Sequence, residues 1–462
     1  MTVTLREISL PDFGMPTERP ELPAALHAER LARLRERARE AGLSTLVVYA
    51  DREHAANMAY LLDFEPRFEE ALLIIAEGRR PTVMTGPENV ARAAASKVEV
   101  EALTYPPFGL LGQDRSGTRP LLEILREAGV ASGATIGVAG WKYYGPEETA
   151  APETWSEAPS FIVDALRTIA GPGGRVVNAN ALLMHPSDGL RAINEIDQIA
   201  QFEYANCYTS EAVKRVLFGL RPGMKEIEVV SDLMRPTGVP LNCHVMFNTG
   251  PDARFGLNSP RDRAISRGEY VTMAYGTWGS LTCRAGWLAA DDTDLPEAVR
   301  DYVDRLAAPF FATVAAWYET IGIGVAGGEI DALVKRKAEP HFRPFLNPGH
   351  LIHLDEWLST PIYPGSTERL QSGQAVQCDI IPSGTGAYFS SNMEEGVVLL
   401  DEEGRAAFRE RYPGAWSRME ARRAFMADVI GIELKPEVLP LSNIPAYLPP
   451  LLLSPGRALT RR

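Results

Sequence analysis

Residues 372–400 read SGQAVQCDIIPSGTGAYFSSNMEEGVVLL. Two short apolar runs, 375–382 and 394–400, flank a stretch of Gly, Ser and Thr, the pattern of two strands and a connecting loop. In the first run, period-two geometry sends Gln377 and Asp379 to one face and Val376, Cys378 and Ile380 to the other. Glu394 and Glu395 are adjacent, so a strand there turns them opposite ways. A further β-rich run, YVTMAYGTWGSLTC (270–283), precedes these two, and helical patterns at 296–322 and 405–430 would cover one side of such a sheet. Antiparallel-looking strands with helices on one side make an α+β domain.

Toward the N-terminus the pattern changes. An amphipathic stretch at 22–42 ends at Gly42, a plausible helix stop. LVVYA (46–50), ALLIIAEG (71–78), PTVMTG (81–86) and ATIGVAGW (134–141) read as strands, and 118–129 as a helix. This alternation predicts an α/β layer fold. GPGGRVVNANALLM (171–184) leads to a boundary, after which a long helical pattern runs from Leu190 to Leu217 and stops at LRPGM (220–224). The expected domains are 1–187 and 188–462.

Composition bounds the function. A chain of 462 residues suits two domains. With 45% hydrophobic and 23% charged residues it belongs among globular proteins. The formal net charge of -13 argues against a nucleic-acid partner, whose phosphates need Lys and Arg. Cys207, Cys243, Cys283 and Cys378 lack the paired spacing of a disulfide framework or zinc motif, which fits a reducing cytoplasm. No signal-peptide pattern opens the sequence, and no apolar run is long enough for a membrane span. A cytoplasmic protein with a small-molecule substrate and no membrane partner is expected.

Five stretches, in order, carry a resemblance: LRAINEIDQI (190–199), LRPGMKEIEV (220–229), PGHLIHLDEW (348–357), SGQAVQCDIIP (372–382) and MEEGVVLL (393–400). With YADREHAANMAYLLDFEPRFEEALLII (49–75), they resemble the creatinase and Xaa-Pro dipeptidase superfamily, which includes aminopeptidase P and prolidase-like proteins. The resemblance implies a creatinase-like N-terminal domain, a C-terminal pita-bread domain and a homodimer. In typical peptidase members of that superfamily two Asp, one His and two Glu hold two divalent metals. Carried over residue by residue, His350 matches the His, Glu394 the final Glu and Asp379 the other Glu. The two Asp positions fall at Ala274 and at Ala285 or within a few residues of it, and no carboxylate occurs between Tyr270 and Ala290. Two dications need several hard oxygen ligands to offset their repulsion. The expectation is therefore no metal cofactor, with room for a single divalent ion at His350, Asp379 and Glu394. In the creatinase branch a His cleaves a non-peptide C–N bond without metal; here Phe255 stands where that His is expected.

The candidate catalytic residues are His350, Asp379, Glu394 and His353. An imidazole near its unperturbed pKa of ~6.5 suits proton transfer, so His350 would shuttle protons. His353 adds a titratable group where the superfamily has Gly. Asp379 and Glu394 would position water or bind a cationic group; if they lie close together, like-charge repulsion should raise one pKa and make a general acid. Arg284 would grip a substrate carboxylate, or neutralise the vacated metal site through a salt bridge. His244 is a candidate substitute for the missing His, or a core residue. Tyr275, Phe255 and Glu356 complete the expected substrate-binding set. These residues point to a hydrolase, metal-independent or single-metal, cleaving a C–N bond in a small amide, amidine or amino-acid derivative. The alternatives are a catalytically inactive ligand-binding or scaffold homologue, and an Xaa-Pro dipeptidase or aminopeptidase with atypical metal ligation.

Overall fold

A computed structural model describes residues 2–235, 238–254 and 256–461. The chain divides into two compact units, Leu22–Arg191 and Met1–Glu21 with Ala192–Arg462. Residues 1–21 thus belong with the C-terminal unit, not with the N-terminal domain expected from the sequence. The cause is pairing at long range: β1 (Val3–Glu7) runs antiparallel to the last strand, with Val3 opposite Arg461 and Glu7 opposite Arg457.

The Leu22–Arg191 unit is the expected α/β layer. Its elements are α1 (Ala24–Glu40), β2 (Thr45–Ala50), α2 (Ala56–Leu62), β3 (Ala71–Ala76), β4 (Thr82–Thr85), α3 (Val90–Ala94) and β5 (Glu101–Thr104). There follow α4 (Leu121–Glu127), β6 (Thr135–Ala139), α5 (Ser160–Ala170), β7 (Arg175–Asn178) and α6 (Ala181–Met184). The six strands form one sheet in the order β5-β4-β3-β2-β6-β7. β2 is parallel to β6 on one side and antiparallel to β3 on the other. Covered on both faces, β2 and β3 are buried throughout and read as unbroken apolar runs. On α5, Ile162, Val163, Leu166, Ile169 and Ala170 are buried at helical spacing and close one side of that core.

The C-terminal unit is the α+β half. It contains α7 (Ile196–Gly219), α8 (Glu226–Asp232), β8 (Met246–Thr249), β9 (Tyr270–Thr277), β10 (Ser280–Trp287), α9 (Ala308–Thr320), α10 (Gly327–Ala338) and β11 (Arg343–Pro344). After these come β12 (His350–Leu351), β13 (Ala375–Cys378), β14 (Pro382–Ser383), β15 (Asn392–Leu399), α11 (Glu402–Arg411), α12 (Pro413–Phe425), β16 (Val438–Pro440) and β17 (Arg457–Arg461). The main sheet runs β12-β13-β15-β10-β9-β8, with β16 also on β15, and every pairing is antiparallel.

The structure refines this half in three places. The β-rich run 270–283 is resolved into a hairpin, because the chain reverses at Trp278 and Gly279. Gly279 has φ +83°, and a Cβ there would strike the Phe202 ring, so both backbone and space demand glycine. The expected helix 405–430 breaks at Tyr412, with Pro413 opening α12. The Pro-rich stretch near the C-terminus, to which the sequence assigned no role, is core: Ile444, Ala446, Tyr447 and Leu448 are fully buried. Among the described residues no helix is long and apolar enough to cross a membrane.

Candidate functional site

The strands bring four of the expected residues together. His350 opens β12 opposite Gln377 of β13, and Asp379 follows the end of β13 on the Gln377 side of the strand. On β15, Glu394 stands opposite Cys283 of β10, which is in turn opposite Ala274 of β9. His350, Asp379 and Glu394 are buried and offer ligand atoms that all lie within 4.8 Å of one another. His350 Nε2 is 3.3 Å from Glu356 Oε1 and 3.8 Å from Glu394 Oε1. Three of these side chains are sealed from water, whereas that of Glu356 is 29% exposed.

Two neighbours that the sequence reading did not single out complete the cluster. The Trp357 indole stacks on the His350 ring with centroids 4.2 Å apart at 15°. Cys283 Sγ donates to Glu394 Oε2 at 3.1 Å. Trp357 directly follows Glu356 in the loop already flagged, so its proximity was open to inference; Cys283 becomes visible only through the register of β10 against β15.

Burial and charge set the protonation. Burial alone would lower the His350 pKa, but Glu356 and Glu394, with Asp379 behind them, outweigh it and hold the imidazole at about 10. The expectation of an imidazole near ~6.5 therefore changes: His350 is an imidazolium over the neutral range. Burial, then the Glu394 charge, drives Asp379 well above the usual carboxylate range. Glu394 is raised too, by burial and Glu356, with His350 pulling it back. The expected like-charge effect is present, but desolvation is the larger cause. Burial and Glu394 also push the Cys283 thiol well up.

The other candidates lie elsewhere. Arg284 is buried and bonded to Glu395, to the carbonyl oxygens of Tyr447 at 2.8 Å and Ile444 at 2.8 Å, and to that of Cys283 at 2.7 Å. It follows Cys283 as Glu395 follows Glu394, so the pair occupies the opposite face of the sheet and cannot grip a substrate. Tyr275 faces away from the cluster as well: it is paired with Thr282, whose hydroxyl lies 3.4 Å from that of Thr209 on α7. His353 is buried edge-on against Phe202 with centroids 5.3 Å apart, outside the convergent group. His244 is exposed and engages the Leu257 carbonyl at 2.7 Å; the thiol of Cys243 beside it is raised to about 12 by burial and by the charges of Glu356 and Glu394. Phe255 lies outside the described residues.

The cluster offers one nitrogen and two carboxylates to a cation. Asp379 Oδ1 and Glu394 Oε1 are buried and accept no hydrogen bond within the protein, as suits atoms awaiting a cation or a donor. Ala274, opposite Cys283 across the β9–β10 pair, carries no ligand atom.

Residues 30–145 match the family described as the Creatinase/Prolidase N-terminal domain. Dipeptidase PepE from Mycobacterium ulcerans superposes with a TM-score of 0.62 at 19% identity, over 82% of this chain and 95% of that one. The chain has the creatinase/prolidase fold. Xaa-Pro dipeptidase from Bacillus anthracis shares that fold at a TM-score of 0.59 and 18% identity, over 82% of this chain and 96% of the other. Prolidase from Pyrococcus horikoshii OT3 does so at 0.60 and 16%, over 80% and 95%. No curated protein matches the sequence. Within the creatinase/prolidase fold, His350, Asp379 and Glu394 mark the candidate centre, and Arg284 belongs to its scaffold.

Proposed function

We propose that the protein hydrolyses a C–N bond in a small amide, amidine or amino-acid derivative, with no metal or with one divalent ion. The observation that carries this reading is the convergence of His350, Asp379 and Glu394 with two of their buried oxygens lacking any donor. An unsatisfied buried polar atom costs about 1–3 kcal/mol, more if charged, so the cluster favours a partner that brings N–H, O–H or positive charge. The likeness to proteins named as dipeptidase and prolidase supports C–N cleavage in general.

Without an ion, protonated His350 gives its proton to the departing nitrogen, while whichever of Asp379 and Glu394 is ionised accepts a proton from the attacking water. The C–N bond breaks as the C–O bond forms, and Glu356, partly exposed, connects His350 to solvent protons. With one ion, His350, Asp379 and Glu394 would hold it, and it would supply the charge that acidifies water and polarises the scissile group.

Wild type and His350→Ala should be assayed against N-substituted glycines, cyclic amidine carboxylates and Xaa-Pro dipeptides, with and without chelator. Turnover by wild type that falls at least about 100-fold in the variant is expected; undiminished turnover would remove His350 from the reaction. The methyl groups at Ala274 and Ala285 favour a second reading, a binding protein without catalysis. A compound that raises the melting temperature and yields no product would establish that reading instead.

A further inference from the structure

Next to the convergent groups lies a second row of side chains on the same face of the sheet. Glu394, Cys283 and Ala274 are opposite one another across β15, β10 and β9; two residues along, Asn392 is opposite Ala285 and Ala285 opposite Thr272. Residues two apart on a strand share a face at a spacing of about 6.5 Å, so this row extends the floor on which Glu394 stands. Asn392 and Thr272 are half-buried, whereas Val271, Met273 and Met393, which point the other way, are buried. The row is therefore open on the side of the candidate centre, with only a methyl group at Ala285 between its two polar side chains. Beyond it stands an aromatic wall: Trp287 pairs with Tyr270, and the Phe389 ring lies 5.0 Å from that of Tyr270 and 5.6 Å from that of Trp287. The result is a small polar shelf. It is also uncharged, for β8, β9, β10, β13 and β15 carry one arginine and no lysine, and that arginine, Arg284, is bound to Glu395 on the opposite face.

We propose that Asn392 and Thr272 bind the far end of the substrate and select an uncharged hydrogen-bonding group there, a carboxamide or ureido group, over a carboxylate. Asn392 Oδ1 is buried and accepts no hydrogen bond within the protein, so a substrate N–H that donates to it meets an acceptor already bare. The carbonyl of the same group accepts from the Thr272 hydroxyl, with Ala285 beneath. A carboxylate on the shelf would find none of the strands' arginines or lysines on its side. The cation of the centre, His350, is engaged by Glu356 and Glu394, and the Glu394 carboxyl one row away would repel a second negative charge. The inference rests on the hydrolysis proposed above and narrows it: His350, Asp379 and Glu394 act on the C–N bond, and the shelf ranks the compounds that carry one. The spacing of the rows suits a reacting carbonyl and a far group joined through a β-alanine unit.

The full-length protein is titrated calorimetrically at neutral pH with N-acetyl-β-alaninamide and with N-acetyl-β-alanine, which differ only at the far end, and acetate release from each is followed. Wild type should bind the amide at least about tenfold more tightly than the carboxylate. Asn392→Ala should weaken the amide by about 3- to 10-fold and leave the carboxylate unaffected. Its melting temperature should match wild type, because the Asn392 oxygen holds nothing in the free protein; Thr272→Val should lower amide affinity in the same way. A carboxylate bound as tightly as the amide, binding of neither compound, or unchanged amide affinity in Asn392→Ala would overturn the proposal, and the first two need no variant to fold. Amide binding without acetate release would remove the hydrolysis and keep the shelf; equal release from both compounds would keep the hydrolysis and remove the shelf.

Discussion

His350 keeps its proton because three carboxyl groups outweigh its burial, and that has a consequence for stability. A group that binds its proton more tightly folded than unfolded adds stability below its unfolded pKa of ~6.5, and loses it as pH climbs through its folded value. For His350 that folded value is about 10. In chelator-treated protein, the stability advantage of wild type over His350→Gln should shrink between about pH 6.5 and about 10. Denaturant midpoints of both forms across that range test it; a gap that widens with pH would contradict the charge arrangement. Asp379 and Glu394, both raised, act in the same direction, since each is harder to ionise folded than unfolded. The sequence marked these three residues and Glu356 through matched motifs, but could not say how closely the carboxyl groups approach the imidazole, and that proximity is what keeps His350 a cation against its burial.

At the scale of the strand, the alternation of faces was legible and the register was not. Period two set Glu394 and Glu395 on opposite faces and the matched motif turned Glu394 inward, as the contacts of each now show. Arg284 and Tyr275 were misplaced because their faces depend on which residues of β10 meet β15 and β9. Once Cys283 is set against Glu394, Arg284 must join Glu395 on the other face. There it closes a buried ion pair that also takes Ser442 Oγ as a donor to Glu395 at 2.9 Å and the Ala446 N–H at 2.8 Å. Removing one partner leaves a buried charge, so Arg284→Met should cost about 3–5 kcal/mol, and Arg284→Met with Glu395→Leu should recover much of that loss. Chemical denaturation of the single and double variants checks this; an equal loss in both would mean that the arginine acts by packing alone. Gly279→Ala, forced to a positive φ against Phe202, should cost more than about 1 kcal/mol in the same assay.

Across the whole chain, periodicity and turn residues revealed two units of different class, but not that the first residues belong with the last. No local pattern encodes a strand pair separated by more than 400 residues, and β1 and β17 form such a pair. The N-terminal segment is bonded into the C-terminal unit at further points: Tyr208 Oη donates to the Pro16 carbonyl at 3.0 Å, Gln201 Nε2 to that of Pro20 at 2.7 Å, and Asn443 Nδ2 to that of Gly14 at 3.2 Å. Deleting residues 1–21 would strip β17 of the one strand partner it has among the described residues and leave an unpaired edge over Ala458 and Leu459, which are buried in the intact protein. Leu22–Arg191, by contrast, has its own apolar core and its own complete sheet. Calorimetry of the truncated chain should therefore show the transition of the C-terminal unit lowered, and that of the N-terminal unit unchanged. Expressed alone, residues 22–191 should melt cooperatively at that unchanged temperature. If both transitions fall together, the two units do not unfold independently, and the first 21 residues stabilise more than the β1–β17 pair and its neighbours.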